Sequence, residues 1–267
     1  PVERDTGDPA RRSLGWIRAL LSGSDGRMWI GTETDGLLAW NPRTDALESH
    51  RDPAVATGAL PTIRALAQAS DGTLWIGTHG GGLVHYDPTQ RRHTAVSIGD
   101  GADGPAAQRI QALLVDRQGN VWAGTWRGLA RRRAGVTRFE PVALASQGAQ
   151  PSSAGVQALL QASDGRIWVG LADGRVGRLD SNGGNAVQWL EAPGDPGPAV
   201  TALVEAPGAV VWVGRAAGVD LFDAGTGSWR RRLHHDPRNT ASLGAGEVTA
   251  LVRDRDDAIW VAGFGLG

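Results

Sequence analysis

Short polar turns follow each of several Trp-x-Gly phrases along this chain, and their side chains are the ones equipped to hold a ligand. They are Glu33 and Asp35, His79, Trp126 and Arg127, Asp173, and Arg215, with Trp16 standing just before the first such phrase. These positions differ from one phrase to the next, and a repeating scaffold carries its individual chemistry at such places. Trp126 and Arg127 are the most suggestive pair. An indole face stacks a sugar ring, and a guanidinium holds an anionic group. The plainer alternative is a set of solvated loop residues, since loops vary freely without function.

Catalytic constellations are missing. The six histidines are His50, His79, His85, His93, His234 and His235, and none forms a His-Glu-x-x-His or comparable zinc pattern. His234-His235-Asp236 is a poor metal site, because adjacent residues rarely point at one ion. There is no Gly-x-Ser-x-Gly elbow and no phosphate loop. With no cysteine, a thiolate nucleophile, a disulfide and a Cys-ligated metal are all excluded. Neither a metal nor another cofactor is expected.

The elements that must position the turns come from a repeat. Tryptophans stand at Trp29, Trp75, Trp122, Trp168, Trp212 and Trp260, at intervals of 46, 47, 46, 44 and 48 residues. Each is preceded by an apolar-x-Ala-Leu phrase: Ile17–Leu20, Ile63–Leu66, Ile110–Leu113, Val156–Leu159, Val200–Leu203 and Val248–Leu251. A turn comes between phrase and Trp, as Asp25-Gly26, Asp71-Gly72, Gln118-Gly119, Asp164-Gly165, Pro207-Gly208 or Asp256-Asp257. Asp-Gly between apolar runs is a strong hairpin signal. A third run follows a Gly-Leu or Gly-Val step and often ends at an aromatic and Asn/Asp-Pro, as in Trp40-Asn41-Pro42 and Tyr86-Asp87-Pro88. Fourth runs are expected over Val136–Glu140, Val187–Leu190 and Trp229–Leu233.

Each repeat therefore reads as four short strands. Frequent glycine and the lack of a sustained 3.6-residue apolar period disfavour helix. A unit apolar on both faces cannot bury itself alone, so neighbours must stack on it. The predicted fold is all-β: a β-propeller of four-stranded antiparallel blades, six repeats over residues 1–267, the last incomplete. The six repeated indoles are expected to wedge between blades as structural residues. In a propeller the first strand of each blade lines a central channel, and the turns after the second strand gather on one face.

The chain has 267 residues, 27 basic side chains that are all arginine, 28 acidic ones and a net charge of -1. That balance gives no push toward nucleic acid or an anionic membrane. The arginine runs 131–133 and 230–232 are expected to be polar surface protecting blade edges. No apolar run approaches the roughly 20 residues of a membrane span, and Pro1–Arg12 carries no signal peptide, so no membrane insertion is expected in this piece.

The recurring phrase resembles the two-component regulator propeller repeat. Repeat two is the closest copy: Ile63-Arg64-Ala65-Leu66, Asp71-Gly72, Leu74-Trp75-Ile76-Gly77-Thr78, Gly81-Gly82-Leu83 and Tyr86-Asp87-Pro88. The stretch His235–Leu243 looks like that family's blade linker, and Arg4–Leu14 is a weaker echo of it. Departures occur. Arg131-Arg132-Arg133 replaces the aromatic-Asp-Pro of repeat three, and Ala262 replaces the Gly after the last Trp. Val2–Arg4 is a candidate fourth strand. Repeat six stops before its third strand is complete, so a piece of a longer array is expected, since full propellers of the family are commonly seven-bladed. The resemblance implies the periplasmic sensor propeller of a bacterial membrane receptor with a histidine kinase or diguanylate cyclase output. It implies a small molecule or oligosaccharide as ligand, with signalling through a homodimer as a further expectation.

Two other readings compete. A propeller enzyme of the streptogramin lyase or quinoprotein type would need a catalytic histidine with a metal site, and only His79 is suitably placed. A protein-binding platform like the WD-repeat propellers would carry Gly-His and Trp-Asp signatures, which this sequence lacks.

Overall fold

A computed structural model describes residues 15–52, 61–99, 108–144, 154–180, 187–191 and 197–265. Val2–Arg4 and Arg4–Leu14 lie outside the described residues. Among the described residues every regular element is a strand, and the strands form antiparallel sheets ordered as they occur in the chain. The first sheet is β1 (Ile17–Ser22), β2 (Met28–Thr32), β3 (Leu37–Asn41) and β4 (Ala46–Ser49). The second is β5 (Thr62–Gln68), β6 (Leu74–His79), β7 (Leu83–Asp87) and β8 (Arg92–Val96). The third is β9 (Ile110–Val115), β10 (Val121–Thr125), β11 (Gly128–Arg132) and β12 (Glu140–Val142). The fourth is β13 (Val156–Gln161), β14 (Ile167–Leu171), β15 (Val176–Leu179) and β16 (Gln188–Leu190). The fifth is β17 (Val200–Ala206), β18 (Val210–Arg215), β19 (Gly218–Asp223) and β20 (Ser228–Leu233). The sixth holds two strands, β21 (Glu247–Arg253) and β22 (Ile259–Phe264).

The expected fourth strand of repeat three begins at Glu140, not Val136. Gly135 takes a φ of 76°, which turns the chain, and β12 then accepts Pro141 because an outer strand has a side that needs no N–H. The Asp-Gly turns behave as glycine demands. Gly26 has a φ of 82°, and its N–H donates to Gly23 O at 3.0 Å. In repeat six Asp257 takes that place with a φ of 67°, a conformation that Asp tolerates better than most residues.

One compact unit holds the first two sheets with Gln108–Ile110, and a second holds the residues from Gln111 onward. Within the first, Trp29 is buried with Leu37, Ile63, Leu74, Ile76 and Tyr86, which come from both sheets. A Cβ at Gly31 would meet Ile63 Cγ2 at 2.5 Å. The glycine after Trp and the apolar residue opening the next repeat are thus two halves of one contact. The second unit repeats it: a Cβ at Gly170 would meet Val200 Cγ1 at 2.3 Å. Trp122 packs with Val156, Ile167 and Leu171 of the next sheet, and Trp168 packs with Val200, Val211 and Phe222.

Two expectations need correction. Trp29, Trp75, Trp122 and Trp168 are buried and Trp212 is half-buried, but Trp260 is 66% exposed. Its sheet has no third strand among the described residues, and no described sheet packs over the ring. Arg131 is not edge surface. It is 2% exposed in the inner strand β11, pairs across from Trp122, and holds its guanidinium 5.2 Å from that ring's centroid. A cation over an indole face is an attractive contact, and Arg178 over Trp168 repeats it at 5.9 Å.

Candidate functional site

The first strand of a sheet does not pair regularly. In five sheets the register slips by one residue: between Ile17 and Ala19, Ile63 and Ala65, Val156 and Ala158, Val200 and Ala202, and Val248 and Ala250. The extra residue is the x of apolar-x-Ala-Leu, namely Arg18, Arg64, Gln157, Thr201 and Thr249. A bulge re-aims the side chain it carries and commonly sits beside a functional site. The flanking apolar residue and Ala pack between sheets, so the bulge lets a polar group leave a strand whose neighbours are committed to the core.

In the first compact unit two of these residues are arginines. Arg18 donates to Glu33 Oε2 through Nε at 3.0 Å and Nη2 at 2.5 Å. Its guanidinium also lies 5.4 Å from the Trp16 ring centroid. Glu33 is fixed by its own backbone, since its N–H donates to Trp16 O at 2.9 Å and its carbonyl accepts from Thr62 Oγ1 at 3.4 Å. That second bond joins the turn after β2 to the start of β5, two residues before Arg64. Burial depresses the Arg64 guanidinium below its usual range, and Arg18 pushes the same way while Glu33 opposes. His79 ends β6 and bridges to Arg109. Burial lowers its imidazole, and the charges of Arg109 and Arg64 lower it further. Trp16, Glu33 and His79, three of the residues singled out from sequence, thus fall into one cluster with Arg18, Arg64 and Arg109.

Sequence reasoning missed those three arginines. The signal for two of them was there, because the x residue is polar in all six repeats: Arg18, Arg64, Gln111, Gln157, Thr201 and Thr249. A strand packed on both faces has no place for such a column unless the backbone bulges. Asp35 lies beside the cluster with a structural task. It accepts the Gly15 N–H at 2.9 Å and pairs with Arg51 at 3.4 Å.

The second compact unit carries the other candidates. Trp126, 46% exposed, and Arg127, also exposed, form the tip of the β10–β11 turn. The Arg127 N–H donates to Thr125 Oγ1 at 3.1 Å, which fixes the turn and leaves both side chains outside it. Asp173 is paired with Arg175 at 2.7 Å, and that guanidinium lies 4.8 Å from the Trp189 centroid. Arg215 does not belong to the turn surface at all. It is 2% exposed, bonds Asp220 Oδ2 at 2.6 Å, and donates to the carbonyls of Gly174 at 2.8 Å and Pro198 at 2.9 Å. Its column is that of Thr32, Thr78 and Thr125, whose hydroxyls donate to Gly36 O, Gly82 O and Gly128 O. An arginine there performs the same turn-closing task with a longer reach, and its charge is taken up by Asp220.

Among the described residues no three His, Asp or Glu side chains come together as metal ligands. His235 Nδ1 lies 2.9 Å from Leu243 O, within the local bonds that fold the linker.

Repeated antiparallel sheets of four strands, with an indole buried against the following sheet, define the class: this is a β-propeller of four-stranded blades. Residues 13–34, 59–80 and 104–127 match the sequence profile described as "Two component regulator propeller". These repeats belong to the two component regulator propeller family.

Solved structures share the fold. The extracellular domain of hybrid two component system BT4673 from B. thetaiotaomicron is 21% identical, with a TM-score of 0.72 over 95% of this chain and 38% of that one. The corresponding domain of BT3049 from the same organism is 16% identical, with a TM-score of 0.67 over 96% of this chain and 39% of that one. Virginiamycin B lyase from Staphylococcus aureus is 11% identical, with a TM-score of 0.74 over 96% of this chain and 80% of that one. The chain thus spans well under half the length of the two sensor domains. No curated protein sequence matches it.

Proposed function

We propose that this chain is part of the ligand-sensing, extracytoplasmic domain of a bacterial membrane receptor, that it is periplasmic and non-catalytic, and that a histidine kinase or diguanylate cyclase carries its output. The observation that carries the reading is the cluster of bulge and turn residues around Glu33, which belongs to repeats of the two component regulator type. Similarity to the extracellular domains of hybrid two component systems supports it. The ligand on this reading is a small molecule or oligosaccharide. The repeats form one propeller within a longer array, and dimerisation transmits the signal.

Thermal unfolding in the presence of a glycan and metabolite library tests the proposal. A stabilising ligand that is recovered unchanged is the expected result, because anything that binds only the folded state raises the unfolding temperature. Trp126→Ala and Arg127→Ala then ask whether the tip of the third sheet takes part.

The lyase-type reading has one observation in its favour, a TM-score to virginiamycin B lyase that matches those of the sensor domains. It requires turnover of a substrate and dependence on His79. A ligand consumed during the assay, with the loss abolished in His79→Ala, would overturn the non-catalytic reading.

A further inference from the structure

Three guanidinium groups, from Arg18, Arg64 and Arg109, converge with His79 on the Glu33 carboxylate. Resting on the sensing reading above, we infer that this cluster is an anion subsite, and that it takes a ring compound bearing a carboxylate or sulfate group whose ring face meets the Trp16 indole.

Placement carries the argument. Arg18 and Arg64 are the bulged residues of two neighbouring first strands, so the same backbone device turns both side chains out of the core. Glu33 joins the two strands, through Arg18 on one side and through the Thr62 hydroxyl on the other. It supplies one negative charge to a place where Arg18 and Arg64 bring two positive ones. The charges acting on His79 are those of Arg109 and Arg64, both cations. An imidazole so placed stays neutral near pH 7 and can donate a hydrogen bond. A planar guanidinium fork matches the oxygens of a carboxylate or sulfate in a two-point contact. Trp16 is 63% exposed and shares the Arg18 guanidinium, so an indole face stands where the rest of the ligand would lie. Aromatic faces of this kind stack on rings. The other sheets set the contrast. The same bulge position holds Gln157, Thr201 and Thr249, and Thr201 spends its hydroxyl on Val248 O at 2.6 Å. The arginines are therefore not needed to form the bulge.

Titration calorimetry and ligand-observed NMR test the subsite, with D-glucuronate and benzoate as ring acids, D-glucose as the neutral analogue and sodium sulfate as the bare anion. The variants are Arg64→Gln and the double variant Arg18→Gln, Arg64→Gln. Glutamine already stands at this position in repeats three and four, so both variants are expected to fold, which circular dichroism verifies. Arg133→Gln, which removes an exposed arginine of the second compact unit, is the control. We expect at least one ring acid to bind and D-glucose not to. Arg64→Gln should weaken the acid roughly tenfold or more, as loss of a charge-assisted bond does, and Arg133→Gln should leave it unchanged. Raising salt from about 0.05 to 0.3 M should weaken it too. Preference for D-glucuronate over benzoate identifies a sugar acid, and the reverse an aromatic acid. Acid binding unchanged in the folded double variant, or failure of every acid to bind the unaltered protein, overturns the subsite. A neutral glycan that binds while all acids fail sinks the subsite and leaves the sensing reading intact. An acid bound through Arg64 but converted to product keeps the subsite and sinks the sensing reading.

Discussion

Trp122 and Trp260 hold the same place in their sheets and make the same bond. The Trp122 indole N–H donates to Asp116 Oδ2 at 2.8 Å, and the Trp260 N–H to Asp254 Oδ2 at 2.7 Å. Both aspartates open the same turn, with Asp116 N–H donating to Asn120 O and Asp254 N–H to Ala258 O. Yet Trp122 is 0% exposed and Trp260 is 66% exposed. The local phrase builds the hydrogen bond, while burial comes from the next sheet. Val156, Ile167 and Leu171 close over Trp122, and the described residues offer Trp260 no such cover. A repeat thus specifies its own turn and strand pairing, but its core is completed by another copy of itself.

The largest effect this predicts is at Trp122. Trp122→Ala should destabilise by about 3–5 kcal/mol in chemical denaturation, because it empties a fully enclosed slot. A loss under about 1 kcal/mol would mean that the stacking of sheets does not hold the fold. Polar groups caught in the same kind of interface should also be costly to alter. Burial alone would raise the Asp220 carboxyl, but bonds from Arg232 and Arg215 hold it below the usual carboxylate range. Asp220→Asn leaves the buried Arg215 charge without its counterion and should cost about 2–4 kcal/mol. The same bonds make acid destabilising. The stability that Asp220 contributes is complete above its ordinary value of 3.8 and is lost as pH falls below it.

Next in size is a matched pair that separates hydrogen bonding from burial. Asp116 accepts from the Trp122 indole and from the N–H groups of Gln118 and Asn120, beneath a covered ring. Asp116→Ala should cost about 1–3 kcal/mol, since it strands a buried donor. Asp254→Ala removes the same bond in the open and should cost clearly less. Equal losses would show that the turn, and not the covering sheet, sets the value of the bond. The Trp29 and Trp168 N–H groups find no acceptor among the described residues, which shows that the aspartate is an option of the repeat and not a condition of it.

How much of this was legible follows from the same division. Strands, turns and the apolar inter-sheet contact recur at each repeat, so the spacing of Trp, Asp-Gly and apolar-x-Ala-Leu placed the blades correctly. The bulge was written in the polar x column, but its meaning depends on pairing register, which a one-dimensional pattern does not display. Arg215 was read as a turn residue because it follows Trp-x-Gly. Comparison with the Thr32, Thr78 and Thr125 column would have marked it as a turn closer. Trp260 was read as buried because its phrase is intact, although burial depends on a neighbour and not on the phrase. Trp16, Glu33 and His79 were found as rim residues, while Arg109 joins them only through a bridge to His79 that no local motif announces.

A smaller effect should appear with pH in the first compact unit. His50 is buried edge-on to Trp29, with ring centroids 4.9 Å apart, and its Nδ1 lies 2.6 Å from the Tyr86 hydroxyl. Glu48 faces its Nε2 at 3.5 Å. Burial holds the imidazole below its ordinary 6.5, with the charges of Arg91 and Arg27 adding to the effect and Glu48 opposing it. The unfolded chain therefore takes up a proton first. Stability is full above pH 6.5 and falls as the pH is lowered past it, by at most about 1.4 kcal/mol per pH unit for this one proton. In melting curves between pH 7.5 and 5, His50→Gln should flatten that slope. An unchanged slope would assign the loss to His79 and His93, whose imidazoles burial also lowers.

The smallest effect belongs to Trp260, and it tests the opening contrast from the other side. With two thirds of its surface in water, the ring has little burial to lose, so Trp260→Ala should cost less than about 1 kcal/mol. Its N–H is nevertheless the leading cause that holds the Asp254 carboxyl below 3.8. The substitution should therefore let that carboxyl drift up toward its ordinary value in an NMR titration while the melting temperature scarcely moves. A loss as large as that of Trp122→Ala would mean that the ring is covered in solution, and the cover would have to match what the other repeats use: a strand opening with Ile or Val, then a polar residue, then Ala.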